Sequence, residues 1–159
     1  MEIVKIEQEI YAYDLKELPQ DIQHLLKEAR DMEKVAYAPY SKFLVGSALE
    51  LKSGAISKGC NQENASYPLC ICAERVALYN AHVHHPNEII RRIAVTASNP
   101  NKPVTKPVSP CGACRQVLME FESKQKSPIE IYIQGQSEQV YFIKSAGLLL
   151  PISFSSEFL

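Results

Sequence analysis

The sequence predicts an α/β fold with three layers, in which helices cover both faces of a mixed, five-stranded sheet. The chain has 159 residues, and 46% of them are hydrophobic, so it is long and apolar enough to bury one continuous core. Along the chain, apolar residues recur at helical spacing in some stretches and in short runs typical of buried strands in others. The resulting order of helix, hairpin, helix, strand, helix, strand, strand is typical of a layered α/β domain.

The first predicted elements are a helix and a β-hairpin. Apolar residues recur at helical spacing over residues 22–36, just after Asp21, whose acidic side chain suits the first turn of a helix. Pro39 ends this helix, because the residue before a proline disfavours helical backbone angles. A buried strand over residues 43–51 and its antiparallel partner over residues 55–60 follow, joined by a Ser-Gly turn.

The rest of the chain is predicted to alternate helices with strands after a polar loop over residues 61–71. The helices cover residues 73–81 and 114–123, and the strands cover residues 89–97, 129–134 and 139–143. A segment with four prolines, residues 98–110, lies before the last of these helices and cannot be a helix or a central strand. We interpret it as a loop within one domain, because the pieces on either side are too small to hold separate cores.

The beginning of the chain has the least regular pattern. Residues 2–13 show a two-residue alternation that Gln8 interrupts, so they are a candidate strand outside the five counted above. We therefore predict one domain over residues 1–159, with residues 1–18 as an extension packed on or beside it.

The composition excludes several classes of protein. The net charge is −1, from 17 basic and 18 acidic side chains, which argues against nucleic acid as a partner because phosphate neutralisation requires surplus lysine and arginine. No apolar run approaches the roughly 20 residues of a membrane helix, so we expect no membrane partner. The mixed, acidic N-terminus is not typical of a secretory signal, and we expect a cytoplasmic protein whose five cysteines form no disulfides.

Three of the five cysteines have spacings typical of a catalytic zinc site. Cys111 and Cys114 are separated by two residues at a predicted helix start, so both thiolates can reach one ion, and Cys72 lies at the start of another predicted helix. Three sulfur ligands leave the fourth tetrahedral position to water, which is the pattern of a catalytic site. Helix N-termini also favour the thiolate form. We predict one Zn²⁺ per subunit, held by these three residues.

Charged residues next to the predicted ligands are candidates for roles in catalysis. Glu74 can face the open metal position without being a ligand, take a proton from the activated water and pass it on as a general acid. Its alternative role is that of a first-turn glutamate that stabilises the helix dipole. Arg75 and Arg115 follow the two motifs, and we expect both to donate hydrogen bonds to ligand sulfurs and offset their excess negative charge. The alternative for each arginine is a solvated surface charge.

Other interpretations of the cysteines explain less of the pattern. A Cys-x-x-Cys redox pair would need neither Cys72 nor Glu74. A structural zinc site would need a fourth ligand, for which Cys60 and Cys70 are the candidates. Cys60 ends a predicted strand and suits a small core residue, and Cys70 should point away from Cys72 in an extended segment. The histidines within residues 82–85 are interpreted as a polar helix end rather than a second metal site.

Longer stretches of sequence extend the pattern around these residues. They are YAPYSKFLVG at 37–46, GCNQENASY at 59–67, ICAER at 71–75, SPCGACRQVL at 109–118 and LLP at 149–151. Together they resemble the small cytidine deaminases of pyrimidine salvage, from about residue 36 to residue 154. The zinc motif alone indicates only the wider deaminase superfamily, and the Asn61-x-Glu63-Asn64 loop narrows the resemblance to enzymes of free nucleosides. The resemblance implies hydrolysis of cytidine and deoxycytidine to uridine and deoxyuridine, with release of ammonia.

The resemblance also implies contacts with a nucleoside. Asn61 and Glu63 would bind the 3′-hydroxyl of the ribose, since an amide and a carboxylate can both reach one hydroxyl. Phe43 would pack on the ligand, and the backbone of Ala73 would hydrogen-bond the base. For Phe43, ordinary core packing is the alternative.

A homotetramer with shared active sites is the assembly that the resemblance implies. Ala65, Tyr67 and Phe154 match positions that reach the nucleoside of a neighbouring subunit. For Phe154, ordinary core packing is again the alternative.

Two other functions stay open at this point. A polynucleotide-editing cytosine deaminase would use the same zinc motif but would need a basic groove, and a net charge of −1 offers none in bulk. A non-catalytic assembly module stabilised by zinc would bind the metal and form oligomers, without releasing ammonia from any nucleoside.

Overall fold

The structure is a computed structural model that describes all 159 residues. Its strands are β1 (Tyr11–Asp14), β2 (Leu44–Leu51), β3 (Ile56–Cys60), β4 (Ile90–Ser98), β5 (Glu130–Gln134) and β6 (Gln139–Ile143), and its long helices are α1 (Gln20–Glu33), α2 (Ala73–His84) and α3 (Gly112–Gln125). The predicted three-layer α/β/α architecture is confirmed, with α1 on one face of the sheet and α2 and α3 on the other.

The six strands form one mixed sheet in the order β1-β6-β5-β4-β2-β3. Only β4 and β5 run parallel, with Ala94 opposite Tyr132, and every other neighbouring pair is antiparallel. The helix α3 lies in the connection between these two parallel strands, as a crossover helix does. The ends of β4 and β5 therefore lead into the loop before α3 and into the turn before β6.

The sheet has six strands, not the five predicted, because β1 adds to the free edge of β6. This pairing satisfies backbone groups of β6 that would otherwise lie at an open edge. Tyr11 lies opposite Phe142, and the centroids of their rings are 5.9 Å apart. Residues 1–10 are exposed, so only the end of the candidate strand at residues 2–13 is formed. A strand of four residues is too short for its alternation to be decisive in the sequence.

Apolar side chains of the helices fill both sides of the sheet. On α1, the buried residues Ile22, Leu25 and Ala29 have the helical spacing seen in the sequence, and they share a cluster with Ala94 of β4. On the other face, Leu118 of α3 belongs to a cluster of 15 buried residues. Each fully buried aliphatic side chain contributes about 1.5–3 kcal/mol to folding. None of the helices has the length and apolar character that a membrane crossing requires.

A glycine at position 59 lets α2 lie directly against β3. A Cβ atom there would lie 2.5 Å from the amide nitrogen of Ala77 and 2.6 Å from the carbonyl oxygen of Ala73, too close for any side chain. The backbone of the strand therefore touches the backbone at the start of the helix. This contact fixes the distance between the sheet and the N-terminus of α2, where Cys72 and Glu74 lie.

We expect Gly59→Ala to destabilise the fold by about 1–3 kcal/mol, the usual cost of overpacking, because the backbone of α2 must move away from β3. Gly112→Ala is the matched control, since a Cβ there would have no atom within 4 Å. Urea unfolding followed by circular dichroism measures both variants. A Gly59→Ala protein as stable as the control would contradict this constraint.

Candidate metal centre

Three cysteine sulfurs converge at the N-termini of α2 and α3. Cys72 occupies the N-cap position of α2, Cys111 occupies the N-cap position of α3, and Cys114 lies in the first turn of α3. The sulfurs lie within 4.8 Å of one another, with 3.7 Å between those of Cys72 and Cys111 and 3.5 Å between those of Cys111 and Cys114. Two sulfurs bound tetrahedrally to zinc at about 2.3 Å lie about 3.8 Å apart, so this cluster could hold a zinc ion. Neither Cys60 nor Cys70 belongs to it.

The two helix starts bring the thiols together and favour their ionised form. The amide of Val76 donates to the carbonyl of Cys72 at 3.2 Å, and the amide of Arg115 donates to the carbonyl of Cys111 at 3.0 Å. Both helices thus direct the positive ends of their dipoles towards the cluster. Cys114 is buried, whereas Cys111 is exposed, so the cluster is open to solvent on one side. A bound ion would keep a position for water or a ligand there.

Contacts among the thiols determine which of them ionises first. The pKa of Cys72 is lowered to about 5, first by the hydrogen bond from the Cys114 thiol and then by the nearby Arg75 guanidinium. The pKa of Cys114 is raised, because its thiol donates that hydrogen bond to Cys72 and is buried. A Cys72 thiolate is therefore available near neutral pH, and metal binding must displace the Cys114 proton.

Arg75 is in contact with the cluster. Its Nη2 atom donates a hydrogen bond to the Cys72 sulfur, at 3.6 Å. Its Nε atom is buried without a partner. The guanidinium therefore places a positive charge beside the sulfur that ionises most readily.

Arg115 does not reach a sulfur, which corrects the expectation for it. Its guanidinium donates to the carbonyl oxygens of Pro110 at 2.9 Å and Leu149 at 3.3 Å, and to the hydroxyl of Ser109 at 2.8 Å. Two of these acceptors, Ser109 and Pro110, directly precede Cys111, and the third lies near the end of the chain. Its effect on the cluster is to hold the backbone before Cys111.

Glu74 is a buried carboxyl beside the cluster. It lies in the first turn of α2, is only 4% exposed, and borders the same cavity as Cys72 and Cys111. Burial raises the pKa of Glu74, and the charge of the Cys72 thiolate raises it too. A carboxyl with a raised pKa next to a metal-binding cluster is suited to accept and return a proton.

A cavity of about 410 Å³ opens onto the cluster. Cys72, Glu74 and Cys111 contribute to its lining, and the rest combines apolar side chains, among them Phe43 and Val108, with polar ones such as Asn61 and Glu63. Sites for small ligands have volumes of roughly 300–1,000 Å³ and combine apolar walls with a few polar groups. The cavity therefore has the size and the mixed lining of a site for a small molecule.

Asn61 and Glu63 border the cavity and also hold its wall in place. The Asn61 side chain accepts a hydrogen bond from the amide of Val45 at 2.9 Å and donates one to the carbonyl of Phe43 at 2.8 Å. Oε2 of Glu63 accepts from the two amides of residues 40–41, at 2.9 and 3.3 Å. These contacts were not visible in the sequence, because they join segments distant along the chain. One N–H of Asn61 and Oε1 of Glu63 remain for a ligand.

The other predicted site residues lie outside the lining of this cavity. Ala73 is fully buried in the first turn of α2. Ala65 is exposed, as are Tyr67 and Phe154, at 70% and 60%. Phe154 stacks on Phe158, with ring centroids 5.9 Å apart, so core packing does not explain it. Within one chain, Tyr67 and Phe154 do not reach the cavity.

The chain matches a family model and is similar to known enzymes over most of its length. The model is that of the cytidine and deoxycytidylate deaminase zinc-binding region, and it matches residues 19–127. The cytidine deaminase of Halalkalibacterium halodurans is 40% identical over 137 residues, which cover 86% of this chain and 96% of the relative. The cytidine deaminase of Sporosarcina psychrophila is also 40% identical over 137 residues, covering 86% and 93%.

Solved structures are similar over the same extent. The crystal structure of cytidine deaminase from Burkholderia pseudomallei superposes with a TM-score of 0.72 at 42% identity, covering 83% of this chain and 98% of that one. Cytidine deaminase from Mycobacterium tuberculosis gives a TM-score of 0.66 at 30% identity, covering 86% and 98%. The similarity thus includes the whole fold around the cluster.

We expect Cys111→Ala to lose most of its bound zinc, because two sulfurs hold the ion far less firmly than three. Cys70→Ala is the matched control, since Cys70 borders the same cavity but lies outside the cluster. Elemental analysis of the purified proteins gives the zinc content per chain. Full zinc occupancy in Cys111→Ala would rule out Cys111 as a ligand.

Proposed function

Because the chain belongs to the cytidine and deoxycytidylate deaminase family, we propose that it hydrolyses cytidine and deoxycytidine to uridine and deoxyuridine, with release of ammonia, in pyrimidine salvage. One observation carries the proposal: two cysteines of the three-cysteine cluster, Cys72 and Cys111, border a single cavity of about 410 Å³ together with the buried carboxyl of Glu74. The net charge of −1 also suits an uncharged nucleoside better than a polynucleotide, whose phosphates attract basic surfaces.

The cysteine cluster would hold one Zn²⁺ per chain, with Cys72, Cys111 and Cys114 as ligands. When bound, zinc supplies Lewis acidity that makes water acidic enough to lose a proton near neutral pH. Three thiolates carry more negative charge than a divalent ion neutralises. Arg75 offsets part of this excess through its hydrogen bond to the Cys72 sulfur.

Glu74 moves the protons of the proposed reaction. Its carboxylate takes a proton from the attacking water and passes it to the ring nitrogen next to the carbon that bears the amine. It then takes the proton of the hydroxyl group now on that carbon and delivers it to the amine, which leaves as ammonia while the hydroxyl oxygen becomes the carbonyl of uridine. Burial raises the pKa of Glu74, which favours the protonated acid between the two transfers.

The rest of the cavity would bind and orient the nucleoside. Phe43 would pack on the ligand, and the backbone of Ala73 would hydrogen-bond the base. The free N–H of Asn61 and Oε1 of Glu63 would both reach the 3′-hydroxyl of the sugar. Hydrogen bonds from Ser41 and neighbouring amides lower the pKa of Glu63, which favours the carboxylate as an acceptor.

A homotetramer in which neighbouring chains complete each cavity is also part of the proposal. Ala65, Tyr67 and Phe154 lie on the surface of the chain, where a neighbour can be reached. Exposed aromatic residues are enriched at subunit interfaces. Light scattering should give about 71 kDa for four chains of 17.8 kDa each. The mass of a single chain would contradict the tetramer.

Two further proposals concern the chain as a whole. We propose that residues 1–159 act as one domain, which is supported by the pairing of β1, from residues 1–18, with β6. A single cooperative unfolding transition is expected. We also propose a cytoplasmic location, which suits five cysteines without a disulfide because reducing compartments keep cysteines reduced. Cell fractionation tests this location.

We expect Glu74→Gln to retain zinc and to lose about 10²–10⁴-fold in kcat for cytidine, because an amide cannot transfer the proton. Glu120→Gln, at an exposed position on α3, is the matched control. An ultraviolet assay with cytidine, deoxycytidine and a cytosine-containing oligonucleotide measures both activity and substrate class.

Three outcomes of this assay would count against the proposal. Near-normal turnover by Glu74→Gln would remove Glu74 from the proton transfers. Activity on the oligonucleotide alone would indicate a polynucleotide-editing enzyme. Zinc binding without ammonia release by the unmodified protein would indicate an assembly module.

We expect Glu63→Gln to weaken cytidine binding by about tenfold while leaving the fold intact. The amide oxygen of glutamine can still accept from the amides of residues 40–41, but the charged acceptor for the sugar hydroxyl is lost. The KM for cytidine, compared with the inhibition constant of free cytosine, separates a loss of the sugar contact from a general loss of binding. Equal losses for both ligands would argue against a contact with the sugar.

A further inference from the structure

The loop between β4 and α3 leads directly into the metal-binding cysteines and forms part of the cavity wall. It covers residues 99–110, contains four prolines and has no regular secondary structure. Val108 and Ser109 of this loop border the cavity, and Cys111 follows it. Prolines have no amide hydrogen, so the loop has few donors with which to attach itself to the rest of the fold.

Gln136, in the turn between β5 and β6, binds this loop. Its side-chain Oε1 atom accepts hydrogen bonds from the main-chain amides of Val104 at 2.7 Å and Asn99 at 3.3 Å. The main-chain amide of Gln136 donates to the carbonyl of Val104 at 2.5 Å. Next to it, a Cβ at Gly135 would lie 2.4 Å from the carbonyl oxygens of Val104 and Lys106. The loop and the turn are therefore in backbone contact, and one side-chain oxygen accepts two of the loop's amides.

The turn itself is held in place by α1. Arg30 donates to the carbonyl of Gly135 and, at 3.0 Å, to Oε1 of Gln134. The side-chain amide of Gln134 donates across the turn to the main-chain carbonyl of Ser137 at 2.9 Å. The charge of Arg30 is balanced by the buried carboxylate of Glu33, at 2.9 Å. Gln136 thus extends from a turn that hydrogen bonds attach to α1.

The loop also contacts the opposite wall of the cavity. Oδ1 of Asn99 accepts from the amides of residues 101–102, at 2.9 and 3.3 Å, and its Nδ2 donates to the carbonyl of Ser41 at 3.3 Å. Ser41 belongs to the segment before Phe43, which Glu63 holds from the other side. A displacement of the loop at Asn99 would therefore move both the wall at Ser41 and the wall at Val108.

We propose that Gln136 is a positioning residue for the cavity: it holds residues 99–104, and through them the wall at Val108 and Ser41, in the geometry that binds substrate. Gln136 touches neither the cavity nor the cysteine cluster, so it acts through the loop alone. The inference rests on the proposed function in so far as the substrate is a nucleoside. Its effect falls on binding more than on the chemical step, because Cys72 and Glu74 lie at the start of α2, away from the loop, and Gln136 can affect Cys111 only through the loop.

The test compares Gln136→Ala with Gln136→Glu, and Gln139→Ala is the control. Gln136→Ala removes the side-chain oxygen that accepts from two loop amides, whereas Gln136→Glu keeps an oxygen acceptor at that place. Gln139 is exposed, lies close to the same turn and makes no side-chain hydrogen bond. For Gln136→Ala we expect a KM for cytidine about five- to tenfold higher, with kcat within about twofold, the change that a lost hydrogen bond of about 1–1.4 kcal/mol produces. Gln136→Glu should restore most of the KM.

Two measurements without substrate accompany the kinetics. Hydrogen exchange at the amides of Asn99 and Val104 should accelerate in Gln136→Ala and stay slow in Gln136→Glu. Zinc transfer to a chelator should also be faster in Gln136→Ala, because the loop leads into Cys111. If the unmodified protein leaves cytidine unchanged, the proposed function fails, and exchange and zinc transfer still decide whether Gln136 positions the loop.

Several results would overturn the inference. An unchanged KM in Gln136→Ala would do so, whether or not amide exchange accelerates. If the rates of amide hydrogen exchange and of zinc transfer in Gln136→Ala equal those of the unmodified protein, the loop does not depend on this side chain. Equal losses in the alanine and glutamate variants, together with a lower melting temperature, would show a general structural role instead.

Discussion

The convergence of two helix N-termini on three cysteine sulfurs is the constraint on which the rest of the structure depends. Thiolates within 4.8 Å of one another repel, and the fold offsets this repulsion with two helix dipoles and the guanidinium of Arg75. The helices can meet there because α2 lies on β3 in backbone contact at Gly59, while α3 crosses over between the parallel strands β4 and β5. The position of the buried Glu74 carboxyl follows from the same helix start. The sheet and its clusters of apolar side chains therefore serve to hold two helix ends at one point.

The two sides of the cavity are built in different ways. On the metal side, the side chains belong to the first turns of helices, whose positions are set by packing on the sheet. On the other side, loops are held together by single polar side chains that bind main-chain groups: Asn61 and Glu63 hold the segment before β2, and Gln136 holds the proline-rich loop. The helical side suits a reaction that demands fixed distances. The loop side suits binding and release of a substrate, because hydrogen bonds at the surface open more easily than a packed core.

Most of the fold was predictable because its signals are local. The periodicity of Ile22, Leu25 and Ala29 identified α1, but that helix ends at Glu33 and not at residue 36. The amide of Tyr37 instead donates to the carbonyl of Asn61, and this pairing with a distant segment draws the chain out of the helix. The local sequence does not determine β1 for a similar reason, since its four residues are stabilised by the edge of β6, more than a hundred residues later in the chain.

The sequence by itself determined which three cysteines come together in a cluster that could hold a metal ion, and the position of Glu74, because the spacing of cysteines at helix starts is a local property of the chain. It also indicated Asn61 and Glu63, by their place in a loop motif. Only the tertiary structure decided what else these side chains hold, that Arg115 donates to oxygens and not to sulfur, and that Gln136 binds a loop 32 residues before it at Val104. The physical reason is that a hydrogen bond between distant segments depends on the backbone directions at both ends. Packing of the whole sheet sets those directions, and no short stretch of sequence encodes them.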